Sequence, residues 1–287
     1  MAVDLETDVM RLALRILTPC LILDMIVGNP ALVEKVSLVG WAIGFGLGVI
    51  LLSYVIAYGV GKVAGIKKGG GLRTFTLSSG IQNYGFIALP VTIALFPGNP
   101  GPAGLILVHG LGIEIALWTV GILIVDQKSG AAWRLLINGP LIAVILGLTL
   151  NYSGLHLAVP GTIQRTVEML GAAAIPISLF MIGATIGRYF SREILQDFFR
   201  TSFASCFVRL ALLPAIIVVI ARWLPMPDDM KLLVAVQVGM PAAVIPIMVA
   251  QLYGGHPETA IKVVFATTVV SLVTSPLVIG LALQWLG

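Results

Sequence analysis

The sequence predicts an all-α polytopic membrane protein, on the strength of its composition and of the long apolar runs that recur along it. Of the 287 residues, 58% are hydrophobic and only 10% are charged, whereas a soluble domain carries about 25% charged residues. The mean hydropathy is +1.04. A chain of this composition cannot cover itself with a water-soluble surface, so the bilayer must be its solvent.

Nine apolar runs are each close to the length that crosses a bilayer, which is about 20 residues. In chain order they cover residues 10–28, 36–59, 72–97, 102–125, 132–152, 161–187, 198–223, 230–253 and 259–286. Residues 1–8 contain three acidic residues and no basic one, which is wrong for a secretory signal peptide. The first span is therefore predicted to be retained. Cys20 and Cys206 lie inside apolar runs and indicate neither a disulfide framework nor a metal site.

The distribution of basic residues predicts the orientation. Nine spans place the N-terminus on the same side as the loops that follow the second, fourth, sixth and eighth spans. That side holds 12 of the 17 basic residues, four lie on the other side, and Arg209 lies within a span. By the positive-inside rule the N-terminus is cytoplasmic and the C-terminus extracytoplasmic in the plasma (inner) membrane. Since orientation accounts for the net charge of +4, no nucleic-acid partner is predicted.

An internal repeat links the two halves of the chain. Pro19 in the first span and Pro176 in the sixth lie 157 residues apart, and Pro90 in the third and Pro246 in the eighth lie 156 apart. The offset equals five spans, an odd number, so the second copy must be inverted relative to the first.

The repeat divides the chain into a first half, 1–125, with four spans and a second half, 126–287, with five. The fifth span, 132–152, then pairs with a segment that would precede Met1. A lost first helix and a start site placed late are both left open as explanations.

The third and eighth spans carry the least helix-friendly sequence in the chain. The third contains glycine and amide residues before Pro90, and the eighth contains Gln237, Pro241 and Pro246. Proline removes a backbone donor, so each span is expected to unwind near its centre. In hydrocarbon such breaks survive only inside protein or beside a watery cavity. Two matching breaks predict a midplane site where helix N-termini face an anion; the alternative is a pair of kinked packing helices.

These residues resemble the auxin efflux carrier family of membrane transporters. Asn83 stands seven residues before Pro90, and Gln237, Pro241 and Pro246 are followed by an aromatic-glycine end. Further likenesses are Pro19, the stretch from Arg209 to Pro214, and the set Phe265, Ser271 and Pro276. The resemblance covers nearly the whole chain.

The resemblance implies a bile-acid-symporter-like fold of ten helices, with two crossing broken helices and an elevator-type motion. Its scaffold would be the spans 10–28, 132–152 and 161–187, and its transport domain 36–125 and 198–286. The scaffold helices would form any homodimer, and the missing first helix departs from the pattern. The residues that would form the crossing and contact an organic anion are Asn83, Pro90, Gln237, Pro241 and Pro246, with Gln82 and Tyr84 beside them.

Ionisable residues inside the membrane are functional candidates, because each costs about 2.5–3.5 kcal/mol or more at a helix centre. Glu114 lies four residues before Trp118 and could exchange a proton in each transport cycle or simply pair with a donor such as His109. Asp24 could face the cavity or the N-terminal side of the missing helix. Arg209 could neutralise an anionic substrate or hold scaffold and core together. His109 is more typical of a packed histidine.

The function these patterns predict is secondary active transport, efflux carrier-like, of a small organic anion such as a carboxylate. The coupling ion, H+ or Na+, is not identified. No catalytic set, phosphate loop or metal-ligand spacing is present in the sequence, so neither an enzyme nor a cofactor is predicted. A passive channel and a membrane sensor that binds ligand without transport are the alternatives.

Overall fold

A computed structural model describes residues 9, 12–34, 36–125, 139–189 and 198–287. The predicted starts of the spans at 10–28 and 132–152 fall partly outside these residues. The helices in chain order are α1 (Thr18–Ile26), α2 (Pro30–Glu34), α3 (Val36–Val63), α4 (Leu72–Gly80), α5 (Ala88–Leu95), α6 (Pro100–Ala116), α7 (Ile122–Val125), α8 (Gly139–Tyr152), α9 (Gly161–Tyr189), α10 (Phe198–Phe207), α11 (Leu213–Trp223), α12 (Asp228–Val238), α13 (Ile245–Leu252) and α14 (Pro257–Leu286).

Within the described ranges, four continuous stretches are long and apolar enough to cross a membrane. They are Val36–Val63, Pro100–Val125, Phe199–Trp223 and Pro257–Leu286. The all-helical architecture agrees with a polytopic membrane protein, and the count of nine spans stays a prediction.

Short π-helices join several of these helices. Ala13–Leu17 leads into α1 and Val208–Leu212 leads into α11, and each is followed within two residues by a proline, Pro19 or Pro214. Proline has no N–H to continue the ladder, so a wider turn before it lets the backbone rearrange without ending the helix. A third π-helix, Leu117–Gly121, joins α6 to α7.

The third and eighth predicted spans are each split into two helices. Residues 81–87 separate α4 from α5, and residues 239–244 separate α12 from α13. Pro241 lies within the second interruption, but Pro90 and Pro246 do not lie where the helices break. Pro90 and Pro246 lie in the first turns of α5 and α13, where a missing N–H is tolerated because no intrahelical partner exists for it.

Most of the helices pack in two groups, and α2 and α6 contact both of them. One contains α1, α8 and α9, with α1 against both of the others; the other contains α3 to α7 and α10 to α14. The second group surrounds both interruptions. Its most extensive helix–helix contact is between α3 and α6, where Gly46 of α3 lies against the backbone and ring of His109.

Close packing of α3 on α6 requires a glycine at position 46. A Cβ there would lie 2.9 Å from His109 Nδ1 and nearer still to the His109 carbonyl oxygen. We expect Gly46→Ala to lower the free energy of unfolding by about 1–3 kcal/mol, because the backbone it meets cannot move aside. Thermal unfolding of the purified protein in detergent measures this.

Gly44→Ala is the matched control, since it lies on the same helix and a Cβ there meets nothing within 4 Å. Its effect should stay within about 0.5 kcal/mol. Equal destabilisation by the two changes would show that helix-wide effects, not the contact with His109, determine the loss.

Candidate functional site

The two interrupted segments cross and bond to each other. Gln82 and Ala242 form an isolated antiparallel bridge. The Asn83 N–H donates to the Pro241 carbonyl over 2.8 Å, and the Ala243 N–H donates to the Ile81 carbonyl over 2.9 Å. Each interruption therefore satisfies part of the other's backbone, as a broken helix at membrane depth requires.

Side chains stabilise the rest of each interruption. In the first, Asn83 Oδ1 accepts from the Phe86 N–H over 3.0 Å, an arrangement that asparagine favours in turns. In the second, Ser275 Oγ donates to the Gly239 carbonyl over 2.5 Å. The Ala242 N–H donates to Thr267 Oγ1 over 3.2 Å. Helix α14 thus holds the second crossing segment in place.

A small cavity lies beside the crossing. Its volume is about 10 Å³, roughly what one water molecule needs. Its polar lining consists of the side chains of Gln82, His109, Arg209 and Gln237. Its apolar lining includes Phe45 and Val49. All four polar residues are buried, with exposed fractions of 4% or less.

Arg209 is the most unusual of these residues, because its side chain is completely buried at 0% exposure. Its Nη1 donates to the Gly80 carbonyl over 3.4 Å and to Gln82 Oε1 over 3.5 Å. Its Nε and Nη2 have no hydrogen-bond partner within the described protein. No carboxylate of the described ranges pairs with it. The carbonyl end of α4 offsets only part of a guanidinium charge.

The other polar groups around the crossing are also incompletely bonded. Four more buried polar atoms have no hydrogen-bond partner among the described residues. They are Nε2 and Oε1 of Gln237, Nδ2 of Asn83 and Nε2 of His109. Each buried polar group that is left without a partner lowers the stability of the folded protein by about 1–3 kcal/mol. Their concentration in one place indicates a site that is completed by water or by a ligand.

A second polar cluster surrounds Glu114, which is 8% exposed. Tyr84 donates its hydroxyl to Glu114 Oε1 over 2.6 Å, and the Trp118 Nε1 donates to Oε2. Tyr84 directly follows Asn83, so the carboxyl group is tied to the first interruption. Gly110 makes room for this contact, since a Cβ at that position would overlap the Tyr84 ring.

The structure brings most of the predicted site residues together. Gln82, Asn83 and Pro241 form the backbone crossing, and Tyr84 reaches Glu114. Gln237 and Arg209 line the adjacent cavity.

Three predicted residues have other positions. Pro90 and Pro246 lie in the first turns of α5 and α13, outside the bridge. Asp24 is half-buried on α1, whose main neighbours are α6, α8 and α9 and not the crossing helices. His109 reaches the cavity, with its Nδ1 3.1 Å from the Ala42 carbonyl oxygen.

Sequence reasoning missed Thr267 and Ser275 as supports of the crossing. They lie eight residues apart on α14, with Ser271 midway between them. Four-residue spacing places all three on one helix face. Such a polar stripe on an otherwise apolar helix was the sequence feature that could have predicted their contact with the crossing.

An all-helical apolar bundle with two crossing interrupted helices has the architecture of a membrane transport protein. Comparison with known proteins agrees. The family model described as "Membrane transport protein" matches residues 128–279, more than half of the chain. An "Uncharacterized transporter" of Methanothermobacter thermautotrophicus is 26% identical over 234 residues, covering 79% of this chain and 73% of that protein. The chain belongs to this family, the auxin efflux carriers, which confirms the resemblance inferred from the sequence.

The hydroxyl of Tyr84 should contribute measurably to stability through Glu114. We expect Tyr84→Phe to lower the free energy of unfolding by about 1–3 kcal/mol, because it leaves a buried carboxyl group one donor short. The loss should shrink in a Glu114→Gln background, since the bond then involves a neutral acceptor. A double-mutant cycle measured by thermal unfolding gives the coupling.

Tyr58→Phe is the control, because the Tyr58 hydroxyl makes no hydrogen bond in the described part of the chain and its ring contact with Lys62 survives the change. Losses of equal size from Tyr84→Phe and Tyr58→Phe would contradict the assignment.

Proposed function

We propose that this protein is a secondary active transporter that moves a small organic anion, a carboxylate, through the site at the helix crossing. The observation that carries the proposal is the buried guanidinium of Arg209 with two unpartnered nitrogens. An arginine stays charged, and an unpaired buried charge is strongly unfavourable. An anion bound at this site would relieve that cost.

The donor set suits a carboxylate. Two guanidinium N–H groups can bind a carboxylate in a bidentate manner. The amides of Gln237 and Asn83 supply further donors at the same crossing. Selectivity for anions follows, because a neutral or cationic guest would leave the arginine charge uncompensated.

The small volume of the cavity favours a carrier over a passive channel. At about 10 Å³ the cavity is too small for a carboxylate and its carbon chain. Binding therefore needs the surrounding helices to separate, and a site that opens by helix movement suits alternating access. We propose the elevator-type motion that the family resemblance implies.

An inverted repeat would give such a motion its symmetry. Helices α4 and α12 begin 156 residues apart, and α5 and α13 begin 157 residues apart. Glycines of positive φ follow α5 and α13 at Gly98 and Gly254, again 156 residues apart. These intervals support the repeat offset of the sequence.

The two packing groups support the proposed division into a scaffold and a transport domain. Helices α1, α8 and α9 would be the scaffold, and the crossing would move with the larger group. The homodimer through the scaffold, the inner-membrane location and the cytoplasmic N-terminus stay predictions.

Replacing Arg209 should abolish most transport. In proteoliposomes loaded with a panel of labelled carboxylates, we expect Arg209→Gln to lower kcat/KM at least about tenfold, because hydrogen bonds to a charged group are worth about 1.5–3 kcal/mol. Asn83→Ala should also reduce flux. Stabilisation of the purified protein by the transported carboxylate should disappear in parallel.

Arg222→Gln is the matched control, because Arg222 is exposed near the end of α11 and the charge change is identical. Parental flux in Arg209→Gln and Asn83→Ala would sink the proposed site. Single-channel conductance would favour a channel, and saturable binding without flux would favour a sensor.

Proton coupling through Glu114 is a separate proposal, supported by the contact between Tyr84 and the carboxyl group. We expect Glu114→Gln to transport down a substrate gradient while losing the response of flux to an imposed pH gradient. Flux that ignores the pH gradient in the parent protein would defeat this proposal and leave the anion site standing.

A further inference from the structure

A cavity unrelated to the crossing lies where the four long apolar helices end together. Its volume is about 570 Å³, within the range of about 300–1,000 Å³ typical of small-molecule sites. Residues 65–67 after α3, Arg200 and Thr201 in α10, and residues 255–259 at the start of α14 line it. The end of α7 also lies here, since a Cβ on Gly255 would meet Val125 at 2.9 Å.

The lining of this cavity is basic. Lys67, Arg200 and Lys262 contribute cations from three segments that are far apart in the sequence. Among the described residues that line the cavity, Glu258 is the one carboxylate. Thr259 adds a hydroxyl group. The described lining thus brings three cationic side chains and neutral donors to one shared volume.

Several contacts give the basic wall a defined shape. The Arg200 Nε donates to the Ala64 carbonyl, which fixes the guanidinium over Gly65. A side chain at Gly65, whose φ is +72°, would overlap that guanidinium. On the opposite wall the His256 N–H donates to Thr74 Oγ1 over 2.9 Å, which anchors the first turn of α14.

We infer that this cavity binds a phosphate-bearing ligand, either the headgroup of an anionic phospholipid or a soluble phosphate compound. Guanidinium, ammonium and hydroxyl groups are the side chains that recognise phosphate oxygens. The amino end of α14, 30 residues long, adds a favourable dipole for an anion.

The position of the cavity brings both sources of phosphate within reach. Helix ends of membrane-spanning length lie at the depth of lipid headgroups, where basic clusters attract anionic lipids. Phe199 and Phe203 beside Arg200 are 86% and 77% exposed, and this apolar face of α10 could contact an acyl chain. A soluble phosphate compound would use the same cations without that face.

Binding of short-chain phosphatidylglycerol, inorganic phosphate and glycerol 3-phosphate to the full-length protein in detergent tests the inference, with phosphatidylcholine as the neutral lipid. Each is titrated against the thermal unfolding midpoint, which rises when a ligand binds only the folded form. We expect phosphatidylglycerol, or both soluble phosphates, to raise the midpoint by a few degrees. High salt should weaken the effect.

The variant Lys67→Gln/Arg200→Gln/Lys262→Gln should weaken binding about tenfold or more, since each charged hydrogen bond is worth about 1.5–3 kcal/mol. The control Arg165→Gln/Arg222→Gln/Lys231→Gln removes the same charge from residues outside the cavity lining. Its two lost ion pairs, with Glu168 and Asp228, are at the surface and worth little.

The outcomes separate clearly. A response to phosphatidylglycerol alone identifies a lipid headgroup, and a response to the soluble phosphates identifies a soluble ligand. Lys67→Gln alone, in an exposed loop, should weaken binding even where the triple variant does not fold. No response to any anion, or an equal response in the triple variant and its control, overturns the inference. Carboxylate transport is independent of either result.

Discussion

A peptide group inside a bilayer must find its hydrogen-bond partner within the protein, and this constraint shapes the centre of the molecule. Two helices stop at mid-length, which frees carbonyl and N–H groups in a chain with 58% hydrophobic residues. The freed groups pair across the crossing, through the bonds of Asn83 to Pro241 and of Ala243 to Ile81. Because neither interruption can be satisfied alone, each helix break requires the other.

The same constraint explains why polar side chains gather at the crossing. Thr267 and Ser275 bond to backbone groups of the second interruption, and the Asn83 side chain supports the first. Arg209 differs, since only Nη1 bonds to the crossing segment. A purely structural arginine would bond more of its five donors, so the residue is better suited to sharing them with a guest.

Composition and the apolar runs were sufficient to predict the all-helical class, and the proline-bearing spans predicted where helices are interrupted. The family came from the resemblance of the motif residues around Asn83 and Gln237 to a known family. The sequence could not show where the helices would end. Pro90 and Pro246 lie in the first turns of α5 and α13, after the interruptions, because the missing N–H of a proline is harmless in a first turn. It also could not show that Arg209 approaches Gln82, since 127 residues separate them and only tertiary packing brings them together.

Four consecutive residues of the first interruption connect the second interruption, Arg209 and Glu114. Ile81 and Asn83 bond to the second interruption, Gln82 accepts from Arg209, and Tyr84 donates to Glu114. A carboxylate that drew Arg209 away from Gln82 would act on the same short segment that holds Glu114. The segment lies outside the helices and is held by the crossing bonds and by a local bond from the Tyr84 N–H to the Gln82 carbonyl, so displacement at one end would be transmitted to the other. In the proposed mechanism, a protonation change at Glu114 and an anion at Arg209 would influence each other through this short backbone segment.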